Sequence, residues 1–96
     1  MSCYFLAQIA IHDRDEYAKY EDGFDEIFRK YRGTVVAVDD HPLLLEGEWK
    51  HRRIVMIRFP SNEDAQRWYY SPEYQRLAQH RFRASDATVM LVDARE

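Results

Sequence analysis

A chain of 96 residues has material for one domain and one core; at this size roughly 60% or slightly more of the unfolded surface is buried, so a second domain is excluded. The apolar fraction of 46%, with seven tyrosines, five phenylalanines and two tryptophans, excludes a disordered chain. The net charge of −3 gives no drive toward nucleic acid or an anionic membrane, both of which are held by concentrated positive charge.

Cys3 to Ile11 alternates, with Cys3, Phe5, Ala7, Ile9 and Ile11 on one side and Tyr4, Leu6, Gln8 and Ala10 on the other. Both sides are mostly apolar, which places the strand in the middle of a sheet rather than at its edge. Cys3 is the only cysteine, so an intrachain disulfide cannot form and a reducing, cytoplasmic location is expected. No basic residue precedes the apolar start and Gln8 interrupts it, unlike a signal peptide. No run approaches the roughly 20 apolar residues that span a bilayer, so a membrane is not an expected partner.

Asp13 or Asp15 suits the cap of a helix running to about Tyr31, in which Tyr17, Tyr20, Phe24, Ile27, Phe28 and Tyr31 form one stripe. Acids lie early and bases late on its opposite face, which complements the helix dipole. Gly23, costly inside a helix by about 1 kcal/mol, is expected to admit a close neighbour, and Gly33 to supply the stop. Thr34 to Asp39 reads as a second strand and Asp40-His41-Pro42 as a turn. Leu44 to Trp49 reads as extended too, either continuing that strand after a bulge or forming an added ribbon.

Lys50 to Arg52 makes a polar turn into a third strand, Ile54 to Phe59, which Pro60 ends. Ser61 with Asp64 forms a capping box for one helix, and Ser71-Pro72 repeats the signal for another, with proline where its missing N–H costs nothing. Arg81 to Asp86 then leads into a last strand, Ala87 to Asp93.

Strand, helix, strand, strand, helix, strand is the α+β, ferredoxin-like βαββαβ order. Right-handed crossovers put the helices on one face of an antiparallel sheet. The other face would carry Tyr4, Leu6, Ile54, Met56, Met90 and Val92 over a footprint of roughly 300–350 Å². Such a surface rarely stays bare. The simplest cover is the same face of a second copy, giving a homodimer in the form of a dimeric α+β barrel.

The run Phe59-Pro60-Ser61, then Trp68-Tyr69, then Ser71-Pro72-Glu73-Tyr74, preceded by Leu45-Glu46-Gly47-Glu48-Trp49, resembles the DUF1330 family of small bacterial proteins across essentially the whole chain, residues 1–96. The resemblance implies the dimeric α+β barrel and a family without an established biochemical role. Glu46, Arg53, Phe59, Pro60, Trp68, Tyr69, Ser71, Pro72, Tyr74 and Arg81 match the family pattern. Arg58 departs from it, standing where members commonly have an acid. Related barrels, similar only in fold, include cofactor-free monooxygenases and small isomerases or lyases with a pocket between sheet and helices.

Polar groups on apolar faces mark candidate pockets, because burying one without a partner costs a few kcal/mol. Gln8 and Arg58 qualify as ligand-binding candidates for a carboxylate or carbonyl, or else as groups that meet partners across the dimer. Asp39, Glu46, His80 and Arg81 lie near strand or helix ends, where pockets open. His80 paired with Glu46 or Asp39 would suit proton transfer beside a carbonyl, with Arg81 steadying the developing anion. The bland reading is that they are solvated or structural.

Asp39-Asp40-His41 has ligand types, but adjacent residues do not converge on one ion without a distant third ligand and no His pair has helical i, i+4 spacing, so no metal and no cofactor is expected. Ser61 and Ser71 read as caps rather than nucleophiles. Lys50-His51-Arg52-Arg53 and His80-Arg81-Phe82-Arg83 are basic runs, but the RNA-binding module of this topology needs paired exposed aromatics where Ile54 and Met56 stand. The chain's acids concentrate before Trp49 and its bases after it, net −6 over residues 12–48 and +5 over residues 49–83. These halves are expected to attract one another within the fold or across the dimer, an anion-binding cleft being the sharper reading. Two functions follow: an enzyme-like or small-molecule-binding dimer with a polar pocket beside the sheet, or a non-catalytic interaction dimer whose interior is filled by Tyr4, Tyr20, Tyr69 and Tyr74.

Overall fold

The structure, a computed structural model, describes residues 1–50 and 52–95. His51, within the basic run and the polar turn before the third strand, and Glu96 lie outside the described residues. The elements are β1 (Cys3–Ile11), α1 (Arg14–Phe28), β2 (Thr34–Asp39), β3 (Arg53–Phe59), α2 (Asn62–Tyr69), α3 (Pro72–Ala84) and β4 (Ser85–Asp93). They form the ferredoxin-like α+β arrangement, with four strands in one antiparallel sheet ordered β2-β3-β1-β4. β1 is central, as its two-sided apolar pattern requires.

Cys3, Phe5, Ala7 and Ile9 of β1 are buried against the helices. On the open face Tyr4 lies between Arg58 and Val92, Leu6 between Met56 and Met90, and Gln8 between Ile54 and Thr88. The six apolar residues expected on one face are therefore adjacent there. β2 is irregular between Val35 and Ala37, so the bulge falls inside this strand rather than after it.

Each helix starts where a side-chain oxygen replaces a missing turn. Asp13 accepts from the Glu16 amide at 3.1 Å, Ser61 from Asp64 at 3.1 Å, and Ser71 from Tyr74 at 3.2 Å. The Ser61 hydroxyl also donates to the Asp64 carboxylate at 3.0 Å, and that carboxylate accepts from Arg67. Both serines are caps.

The core centres on Trp68, fully buried, with ring centroids of Tyr74, Phe5 and Phe59 at 4.3, 5.0 and 5.5 Å. Burial of side chains such as Phe59 and Ile57 stabilises by about 2 kcal/mol each. Cys3 belongs to this core; its thiol donates to the Ser61 carbonyl at 3.5 Å, and burial pushes its pKa up.

Four expectations are corrected. Residues 44–49 form no strand: this run is a loop with no ladder neighbour, and Leu43 and Leu45 are 85% and 84% exposed. α1 ends at Phe28 rather than near Tyr31, which puts Arg29 and Lys30 beyond its last turn. Gly33 is not a left-handed stop, since Gly47 alone among the described residues has positive φ. A Cβ at Gly33 would lie 2.6 Å from the Phe28 ring and 2.7 Å from Phe59, so it is the side chain's absence that matters. α3 continues through Ala84 and β4 begins directly at Ser85; the Ala84 carbonyl accepts from the amides of His12 and Asp13 at 2.9 and 3.1 Å.

Candidate functional site

The helices do not cover the sheet evenly. α1 packs chiefly along α3, where Gly23 lets it approach: a Cβ there would sit 2.6 Å from Leu77. A wedge remains between α1 and the β2–β3–β1 part of the sheet, a cavity of about 370 Å³. Period-two alternation supplies its floor, Phe5, Ala7 and Ile9 from β1 with Val55 and Ile57 from β3. The helical stripe supplies its roof, Tyr17, Tyr20 and Phe24, and Val35 and Val38 of β2 form one side.

Two arginines reach this apolar chamber, in different electrostatic states. Arg53 opens β3 on the inward-facing parity. It donates to both Asp40 oxygens, at 2.6 and 3.2 Å, and to Glu21 at 3.0 Å, and its guanidinium lies 5.4 Å from the Tyr17 ring centre. The pair with Asp40 is bidentate, the stronger geometry for this partnership, and it holds the Asp40 carboxyl below its usual range. Burial pushes the Tyr17 phenol up, with Arg53 opposing it only in part. Arg53 thus clamps the start of β3, the turn after β2 and α1, and its charge is neutralised.

Arg81 is different. It is 4% exposed and, among the described residues, has no carboxylate within ion-pair distance. Its Nη2 is buried with no hydrogen-bond partner. The guanidinium lies 5.8 Å from the Tyr20 ring centre and 5.0 Å from that of Phe82. Tyr20 and Tyr74 share a buried hydrogen bond of 2.7 Å between their hydroxyls. Burial pushes both phenols up, and the charge of Arg81 pulls each back only in part. Both stay protonated at neutral pH.

The other sequence candidates lie elsewhere. His80, one residue from Arg81, points away from the cavity: its Nδ1 is 2.6 Å from Glu16, which also accepts two hydrogen bonds from Arg83 at 3.2 and 3.0 Å. Its carboxylate partner is Glu16, rather than Asp39 or Glu46. Asp39 accepts from the His41 amide at 2.8 Å, and Glu46 is exposed in the loop after β2. Gln8 and Arg58 are both on the open face, four positions apart in register, and Arg58 donates to the Ser2 hydroxyl at 3.2 Å. Arg53, Tyr17 and Glu21 were missed as site residues, although the inward parity of Arg53 with Val55 and Ile57 was a readable signal.

The oppositely charged halves meet within the fold, through Glu16 with Arg83 and through Glu21 and Asp40 with Arg53. Among the described residues no three His, Cys, Asp or Glu side chains stand together in a way that would hold a metal. No helix among them is long and apolar enough to cross a membrane.

Among solved structures, the chain is similar to the RPA0582 protein of unknown function from Rhodopseudomonas palustris, with a TM-score of 0.80 at 17% identity over 99% of this chain and 83% of that one. It is similar to SnoaB, a cofactor-independent oxygenase from Streptomyces nogalater, with a TM-score of 0.70 at 17% identity over 99% and 94%. A dimeric ferredoxin-like protein of unknown function from Jannaschia sp. CCS1 matches with a TM-score of 0.70 at 8% identity over 98% and 100%. At such identities the likeness is one of fold. No curated protein matches the chain. The family model of DUF1330, a domain of unknown function, matches residues 2–95, and the chain belongs to that family.

Proposed function

We propose that this protein is a small-molecule-binding, enzyme-like homodimer whose ligand chamber is the cavity between α1 and the sheet. The observation that carries this reading is the open space itself. Apolar walls ordinarily close on one another, because apolar surface left facing water forgoes the stabilisation of burial. Here about 370 Å³ stays open, within the roughly 300–1,000 Å³ typical of small-molecule sites. The competing reading, an interaction dimer with its interior filled by Tyr4, Tyr20, Tyr69 and Tyr74, needs that space closed. Of the four, only Tyr20 lines it, and its hydroxyl is turned to Tyr74, while Tyr4 belongs to the other face of the sheet. SnoaB, a cofactor-independent oxygenase, supports an enzyme on this framework, though its reaction does not transfer with the fold.

The second half of the proposal is the assembly. Leu6, Met56, Met90 and Val92 are contiguous on the open face, with Met90 and Val92 still 41% and 42% exposed, and an apolar patch of this kind marks an interaction site. The dimeric Jannaschia protein supports a second copy as its cover. Gln8 and Arg58 then serve the assembly, as polar groups meeting across the two-fold, and Arg81 serves the ligand. The buried thiol of Cys3 accords with the cytoplasm as its compartment.

Thermal-shift screening against planar aromatic carboxylates and their neutral amides tests the chamber. A saturable rise in Tm is expected with at least one compound, preserved in His80→Ala and reduced in Arg81→Ala. Absence of any rise, or a rise untouched by Arg81→Ala and lost in His80→Ala, would contradict it.

A further inference from the structure

Arg81 is a buried cation with no counter-charge among the described residues. Charges removed from water are normally paired and fully hydrogen-bonded, since an uncompensated one costs several kcal/mol. The other arginine at the cavity, Arg53, is held by Asp40 and Glu21. Among the described residues Arg81 faces aromatic rings and phenols that burial keeps neutral, the Tyr74 hydroxyl among them. Its orphan Nη2 belongs to a residue lining the chamber. This is an unpaired donor and charge in a mainly apolar wall whose other arginine, Arg53, is already paired.

From this geometry we infer that the chamber takes an aromatic carboxylate, with the carboxylate accepting from Arg81 and the ring lying between the floor of β1 and β3 and the roof of Tyr17, Tyr20 and Phe24. The inference rests on the chamber being a ligand site. Three features define the class. The guanidinium fork matches a planar carboxylate better than it matches a point charge. The walls are rings and branched aliphatics, which favour a flat apolar body. The acids lining the chamber, Glu21 and Asp25, are on exposed positions of α1, so they set the polarity of the cavity: the anionic end goes inward to Arg81, and any hydroxyl outward to the rim.

Calorimetric titration with naphthoate and with its neutral amide tests this. The wild type is expected to bind naphthoate about tenfold or more tightly than the amide, one charge-assisted contact sufficing for that ratio. Arg81→Gln is expected to bring the two affinities together, and Arg81→Lys to keep part of the preference. Equal affinities in the wild type would overturn the carboxylate inference and leave the chamber standing, as would a preference undiminished in Arg81→Gln. Binding of neither probe would remove the chamber and the inference together. The wild-type comparison decides without either variant, so a failure of Arg81→Gln to fold does not remove the test.

Discussion

The Tyr20 hydroxyl on α1 and the Tyr74 hydroxyl on α3 meet at 2.7 Å in the core. Each has the other as its partner, so truncating one strands the other in a dry environment. Tyr20→Phe and Tyr74→Phe are each expected to destabilise by about 1–3 kcal/mol, whereas the double variant costs clearly less than the sum. Urea unfolding of the four proteins measures this coupling. Strict additivity would show that the two hydroxyls find separate partners.

Gly23 reports on how closely the helices approach. In an exposed helix, glycine to alanine gains about 1 kcal/mol, but here the new methyl would meet Leu77 Cδ1 at 2.6 Å. Gly23→Ala is therefore expected to gain nothing or to lose stability, and Leu77→Ala is expected to restore the gain when the two are combined. A full propensity gain in the single variant would mean that the Leu77 side chain moves aside without cost.

The Glu16 carboxylate is faced by His80, Arg83 and Lys19. Its hydrogen bonds to His80 and Arg83, with a smaller one from Lys19, lower its pKa from 4.5 to about 2. Because the folded value is the lower one, the unfolded chain takes up the proton first. The stabilisation is complete above pH 4.5 and is lost as pH falls toward 2. The Tm difference between wild type and Glu16→Gln is expected to shrink as pH falls through this window. A difference that grows on acidification would contradict the assignment.

Met56 sits at the middle of the open face, between Leu6 of β1 and Ala37 of β2. Met56→Arg puts a charge where two sheets would meet, and the half-buried position on the open face lets the long side chain reach solvent in a single copy. Light scattering at micromolar concentration is expected to give twice the 11.6 kDa chain mass for the wild type and one chain mass for the variant. A wild-type monomer would remove the dimer from the account.

The strand faces and helix starts were legible because they depend on local periodicity and short-range hydrogen bonds. The alternation of β1 sorted Phe5 and Ala7 from Leu6 and Gln8 correctly, and Ser61 and Ser71 cap as their spacing requires. Leu44 to Trp49 misled because a strand is defined by its ladder partner, which composition does not reveal. Arg81 was read as standing near a helix end, at the start of a connection. α3 runs three residues beyond it, to Ala84, and that extra turn holds Arg81 inside the packed helix. The pairing of His80 with Glu16 joins residues 64 positions apart, a relationship set by the α1–α3 crossing and invisible to motif spacing.

The central claim is that the wedge between α1 and the sheet holds a ligand. Its most direct test is an amide and methyl NMR titration of the wild-type protein with naphthoate. The account predicts shift changes concentrated on Ala7, Val55 and Ile57 and on the Arg81 side chain, saturating together. Changes confined to the open face around Leu6 and Met90, or no saturable change anywhere, would contradict it.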